Sequence, residues 1–319
     1  MRRAILLLSV LVLCAACPVA RAQDPAACRT VRLADVGWTD ASAVTAVGAT
    51  LFDALGYQTR TPMLALTVAY LAMSTGQVDG FLSNWEPSGA TAIAPFLKKG
   101  TVQQIATNLS GAHYTLAVPE EVWQAGLHDF RDIAGWGSKL GHVIYGLEAG
   151  NDGNALVLDM IRDNRFGLGR FRLVESSEQG MLSQVARSIE SHRPIVFLAW
   201  EPHPMNMRFH LRYLTGGDAI FGPDAGATVH TVIRTGYDTA CPNATRLLRQ
   251  IRFSIDGENV MMKAIQDEHT PPRDEARRWL RAHPDALTLW LDGVTTLDGR
   301  PGLPAVLSAL SVPQSAQRP

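Results

Sequence analysis

Two stretches of the chain close on the same three residues. Val78-Asp79-Gly80-Phe81-Leu82-Ser83-Asn84-Trp85-Glu86-Pro87 and Pro194-Ile195-Val196-Phe197-Leu198-Ala199-Trp200-Glu201-Pro202 each run through an apolar strand to an indole and then Glu-Pro. Proline cannot donate to a sheet ladder, so each strand is expected to stop there. In open α/β sheets ligands bind beyond the carboxyl ends of the strands. The echo therefore points to two similar half-molecules, each offering an indole to a shared cleft. Trp38, at the end of the first apolar run, and Tyr114, in the extended run 113–119, bring the rings to four. Such faces carry negative potential and attract cations, quaternary ammonium above all. That cation donates no hydrogen bond, so an aromatic face is its best protein partner. At up to ~2 kcal/mol per desolvated ring, four rings offer up to roughly 8 kcal/mol. A micromolar complex needs about −8 kcal/mol, so the scale fits once association costs are allowed for.

Two polar residues stand beside the rings. Asp40 follows Trp38 closely and precedes a helical pattern, so it is either a site carboxylate or a helix cap, or both. Asn151 lies in the Gly-flanked turn Gly150-Asn151-Asp152-Gly153 and is either a ligand contact or a turn former. His203, just beyond Trp200, reads as structural. Trp123, Trp136, Trp279 and Trp290 sit within helical patterns, where core packing is the default.

Hydrolytic chemistry finds little support. The rival function is a choline-ester hydrolase, since such enzymes also hold cations on aromatic rings. The chain has no G-x-S-x-G elbow, and neither Ser83 nor Ser88 has a positioned His–acid partner in sequence. It has no H-E-x-x-H, and His203 and His210 are spaced wrongly for one helix face. No catalytic residue, metal or cofactor is therefore assigned, and a binding protein is the expectation. A third possibility, a membrane-tethered receptor module, lacks a spanning segment after the leader.

The elements that must position these residues alternate. Strands are expected at 31–36, 57–63, 78–84, 101–107, 142–147, 171–175 and 195–199, with an amphipathic helix from Ser42 to Leu55 and further helices between the later strands. Alternation implies parallel sheets with helical crossovers. The extended runs 113–119 and 228–235 lack that pattern and are candidates to cross between lobes. The expected organisation is a leader at 1–22, a discontinuous lobe of 23–112 and 226–319, and a second lobe of 113–225. The crossings fall near 112–116 and 222–230. The fold class is α/β, two lobes joined by a two-segment hinge, with two separate sheets.

The leader has Arg2 and Arg3, an apolar run too short to span a bilayer comfortably, and Ala20-Arg21-Ala22 as a cleavage site before Gln23. Lipidation at Cys17 is disfavoured, because Cys14 stands where such signals want Leu. Cleavage leaves 26 Lys and Arg against 30 Asp and Glu, a net charge of −4, unlike the basic footprint of a nucleic-acid binder. Only Cys28 and Cys241 remain. Two cysteines in an exported chain usually pair; a metal or redox pair is the alternative. From Gln314 the chain reads as a loose polar tail.

In this order, Gly37-Trp38-Thr39-Asp40, Asn84-Trp85-Glu86-Pro87, Tyr114, 148–154 and Trp200-Glu201-Pro202-His203-Pro204-Met205 resemble the periplasmic choline-binding proteins. These belong to the glycine betaine/choline class of ABC-transporter substrate-binding proteins. The resemblance covers essentially the whole mature chain. It implies a type II periplasmic binding protein fold. It also implies a choline site of four aromatics, Trp38, Trp85, Tyr114 and Trp200, with Asp40 and Asn151 at the hydroxyl end. A Cys28–Cys241 disulfide, a permease partner at the inner membrane and a monomer in the periplasm go with it. Betaine, carnitine and acetylcholine stay open as ligands. Asp40 favours choline, because a carboxylate at that end repels betaine and accepts from a hydroxyl.

Overall fold

The computed structural model describes residues 23–311, so the leader at 1–22 and the tail from Gln314 lie outside the described residues. The first strand, β1 (Thr30–Arg32), pairs in parallel with β2 (Gln58–Arg60). The bridges Leu33–Gly80 and Asp35–Met63 continue the alignment, so the expected strands at 31–36 and 57–63 are shorter but in place. β3 (Gly80–Glu86) and β7 (Phe197–Glu201) each carry one Trp-Glu-Pro triplet out to its glutamate. The Glu86–Pro87 and Glu201–Pro202 peptides are both cis.

β4 (Val102–Pro119) is 18 residues long and serves two neighbours. From Val102 to His113 it runs antiparallel to β9 (Gly226–Arg234), and from His113 to Ala117 antiparallel to β7. β5 (Val143–Tyr145) and β6 (Arg172–Val174) add parallel to β7, and β8 (Leu211–Tyr213) pairs with the end of β4. The result is a seven-stranded sheet, order β3-β9-β4-β7-β5-β6 with β8 on β4, beside the two-stranded β1–β2 sheet; β3 and β9 thus share one sheet with β5 to β7, where two separate sheets were expected. The reason is length: β4 outlasts its pairing with β9 and passes hydrogen bonding on to β7. Three register shifts along β4 bend it, as bulges do, and curl the sheet.

The helix Thr39–Ala54 differs most from expectation. It starts at Thr39, not Ser42, and is not amphipathic: from Thr39 to Phe52 every residue except Ser42 is buried. Its small residues let it pack on all sides, against β3 and against the helices Ile255–Gln266 and Pro272–Ala282. Helices apolar all round belong in interiors. Ser42 is not a cap; its hydroxyl donates to the Asp35 carboxylate at 3.0 Å.

Two apolar cores result. One is built from residues 28–57 together with 233–310, with Leu82. The other runs from Ala34 to Val232 and passes through all four rings. Trp279 and Trp290 are buried in the former, stacked at 5.7 Å, while Trp123 and Trp136 pack half-buried against the latter. Cys28 and Cys241 form a disulfide. Beside it, buried Asp24 accepts the backbone N–H groups of Asn243 and Ala244 at 2.7 and 2.9 Å, capping the helix Pro242–Gln250. No helix among the described residues is long and apolar enough to cross a membrane.

Candidate functional site

The ends of β3 and β7, the middle of β4 and the starts of two helices meet around a small, tightly lined cavity. Trp38, Asp40, Trp85, Tyr114, Asn151 and Trp200 line it, with Leu147 and Asp152. All six residues singled out in the sequence are thus brought together. Each ring is at most 5 % exposed, so all four are buried around the cavity. Tyr114 lies 6.0 Å from Trp85 and 6.3 Å, edge-on, from Trp200. The crossing strand buries this tyrosine and still presents it to the cavity.

Local chemistry explains each placement. Gly37 has φ +83°, a conformation that glycine adopts readily, and it turns the chain from strand to helix just before Trp38. Trp38 Nε1 donates to Glu148 Oε1 at 2.8 Å. Trp85 Nε1 donates to Asp40 Oδ2 at 3.1 Å. Asp40 lies inside the helix, one residue past its start, and lines the cavity from the first turn. Asn151 both caps a helix and lines the cavity. Its Oδ1 accepts the Asn154 N–H at 3.0 Å, capping the helix Asp152–Arg162, and the Tyr114 hydroxyl at 3.2 Å. Gly153 lets that helix approach the tyrosine, since a Cβ there would lie 2.0 Å from the hydroxyl.

Three lining residues keep a buried polar atom with no partner among the described residues: Asp40 Oδ1, Asn151 Nδ2 and Trp200 Nε1. That is one acceptor and two donors, what a ligand with a hydroxyl needs from a pocket. The charge is one-sided: the lining holds two carboxylates and no basic side chain. Burial, and next the charge of Glu178, push the Asp40 carboxyl up to about 7, against the Trp85 hydrogen bond. Burial pushes Asp152 up to about 6, against a hydrogen bond from Ser88. A cation entering here relieves both.

Sequence reasoning missed Asp152, Glu148 and Glu178. Asp152 accepts the Ser88 hydroxyl at 2.5 Å, and Glu178 accepts the Thr39 N–H at 2.8 Å and its hydroxyl at 2.6 Å. Their partners lie far away in sequence, so no local signal marks them. His203 is structural as expected, buried and bonded to Glu178 at 3.0 Å. Ser83 Oγ has no partner among the described residues, and Ser88 serves an aspartate, so neither is an activated nucleophile.

A curled α/β sheet with an aromatic cavity at its strand ends is the build of a type II periplasmic binding protein. The substrate-binding domain of the ABC-type glycine betaine transport system matches residues 29–282, and the chain belongs to that family, one of transport binding proteins and not of enzymes. Among solved structures, an ABC-transporter choline binding protein in complex with choline is 48% identical, with a TM-score of 0.89 over 90% of this chain and 100% of that one. An ABC-transporter choline binding protein in an unliganded semi-closed conformation matches with the same identity and coverage and a TM-score of 0.82. The glycine betaine/carnitine transport binding protein GbuC of Listeria monocytogenes is 27% identical over 51% of this chain and 53% of its own length.

Proposed function

We propose that this chain is the choline-binding component of an ABC importer, with Trp38, Trp85, Tyr114 and Trp200 holding the quaternary ammonium. The observation that carries the reading is one cavity combining four rings with an unpartnered Asp40 Oδ1 and an unpartnered Asn151 Nδ2. A choline hydroxyl donates to the former and accepts from the latter. Betaine and carnitine bring a carboxylate instead, and the lining offers it Asp40, Asp152 and no base. On this reading one lobe comprises 23–112 and 226–319, the other 113–225, and they close on the ligand. The protein works as a monomer in the periplasm and delivers its load to a permease in the inner membrane. Calorimetry with choline, acetylcholine, betaine and carnitine tests this. Micromolar binding of choline, tighter than of betaine, is expected. Tighter binding of betaine, or no heat with choline, overturns it.

A further inference from the structure

Glu178 opens the helix Glu178–Glu190, but its carboxylate serves a different one. Oε2 accepts the Thr39 N–H at 2.8 Å; Oε1 accepts the Thr39 hydroxyl at 2.6 Å, His203 Nε2 at 3.0 Å and the Gln266 amide. His203 Nδ1 accepts the Met205 N–H at 3.0 Å, which leaves Nε2 to carry the proton and donate. The donors come from the start of the helix Thr39–Ala54, the end of the helix Ile255–Gln266 and the loop beyond β7. Thr39, Glu178 and His203 are each under 5 % exposed.

This bond supplies what the sequence omits. A helix start leaves backbone N–H groups without partners, usually met by a polar cap residue. Here the cap position is Trp38, whose side chain makes no cap bond. A carboxylate from 139 residues away takes its place, where an anion is also favoured by the helix dipole. The turn it fixes carries Trp38 and Asp40.

We propose, on the choline-binding reading above, that Glu178 is a positioning residue for the cation site: it caps the helix Thr39–Ala54 across the cleft, so Trp38 and Asp40 are fixed only when the lobes meet.

The same contact sets the charge. Glu178 is held below the ordinary carboxylate range, because the bonds from His203 and Thr39 outweigh its burial. Its charge therefore stands near Asp40 when the cleft is shut. Glu258, on the helix Ile255–Gln266, also interacts with Asp40 and is itself pushed well up, by burial first. Asp152 and Tyr114 line the same cavity, and Glu148 holds Trp38 beside it. Among the described residues no lysine or arginine forms an ion pair with any of these groups. An empty closed cleft thus favours a proton on Asp40, and a quaternary ammonium takes over that proton's role.

Choline titrations from pH 5.5 to 8, on the mature wild type and Glu178→Gln, test the proposal. Glutamine offers one oxygen to donors that now share two, so choline binding should weaken about 10-fold or more. The fall in affinity on acidification should also move to lower pH, because Asp40 loses its charged neighbour; a loss of packing alone leaves that profile in place. Thr39→Val keeps the charge and one donor, so it should weaken binding by about 3-fold with the pH profile unmoved. Ligand-free Glu178→Gln should scatter as a more extended particle than the wild type. Should Glu178→Gln fail to fold, Thr39→Val and Gln266→Ala decide: weaker binding at an unchanged ligand-free Tm supports the proposal, and wild-type affinity in both overturns it. Wild-type affinity, pH profile and radius of gyration in Glu178→Gln also overturn it. Absence of choline binding in the wild type counts against the functional reading, and the scattering comparison then decides the latch by itself.

Discussion

The two Trp-Glu-Pro triplets share their sequence, their place at a strand end and their cis Glu-Pro peptide, yet their indoles are held differently. Trp85 is tied by its polar edge, Nε1 to Asp40 at 3.1 Å. Trp200 has no partner for Nε1 among the described residues and is held by packing, its ring 4.7 Å from that of His203. One indole thus orients the site's carboxylate, while the other is oriented by the polar cluster around Glu178. The repeated triplet fixes where a ring goes. Its surroundings decide whether that ring also manages charge.

The comparison can be broken at four levels. Asp40→Asn should do the most, costing choline about 3 kcal/mol, roughly 100-fold, as when one partner of a buried charged pair is removed. Betaine should lose less, since its carboxylate is no longer repelled. Equal losses for both ligands would remove Asp40 from the selectivity argument. Next, Trp85→Ala and Trp200→Ala should each cost about 1–3 kcal/mol in calorimetry, from lost cation–π attraction and burial. Variants that unfold while their folded fraction binds normally would make the rings structural.

Acidification comes third. The Asp40 carboxyl is raised to about 7, so the stability it contributes to the empty closed form is complete below the ordinary carboxylate range. It is lost as pH rises through about 7, and the contribution of Asp152 is lost through about 6. Choline needs Asp40 ionised, so its affinity should move the opposite way, falling at most about 10-fold per unit below that pH. A flat affinity between pH 5.5 and 8 counts against the role of Asp40. The smallest effect is the sharpest. Trp85→Phe removes the donor to Asp40 and should cost about 1 kcal/mol more than Trp200→Phe, which loses no hydrogen bond within the protein. Equal costs would mean that the Trp85–Asp40 bond is idle.

Much of this was legible in the chain. The rings, Asp40 and Asn151 stood out because their neighbours in sequence, a strand end, a glycine or a proline, place them. What escaped depends on distance. Nothing near Thr39 announces a helix start, since its cap is Glu178. Asp152 looked like part of a turn because its partner, Ser88, lies 64 residues earlier in the chain. The helix Thr39–Ala54 looked amphipathic because only the fold reveals that the helices Ile255–Gln266 and Pro272–Ala282 cover its far side. The seven-stranded sheet was hidden in the length of β4, where the pattern gave two separate extended runs.

The Cys28–Cys241 bond spans 213 residues, and β9 lies between β3 and β4 in the sheet. A chain emerging amino end first therefore presents β3 and β4 long before the strand that separates them exists. Asp24 likewise waits for Asn243, and Cys28 travels as a lone thiol until Cys241 arrives. The segment between has its own strands, β5 to β8, and pairs them with the end of β4 and with one another, all available sooner. The first strands and Cys28 thus complete their pairing only once residues near the far end of the chain are present.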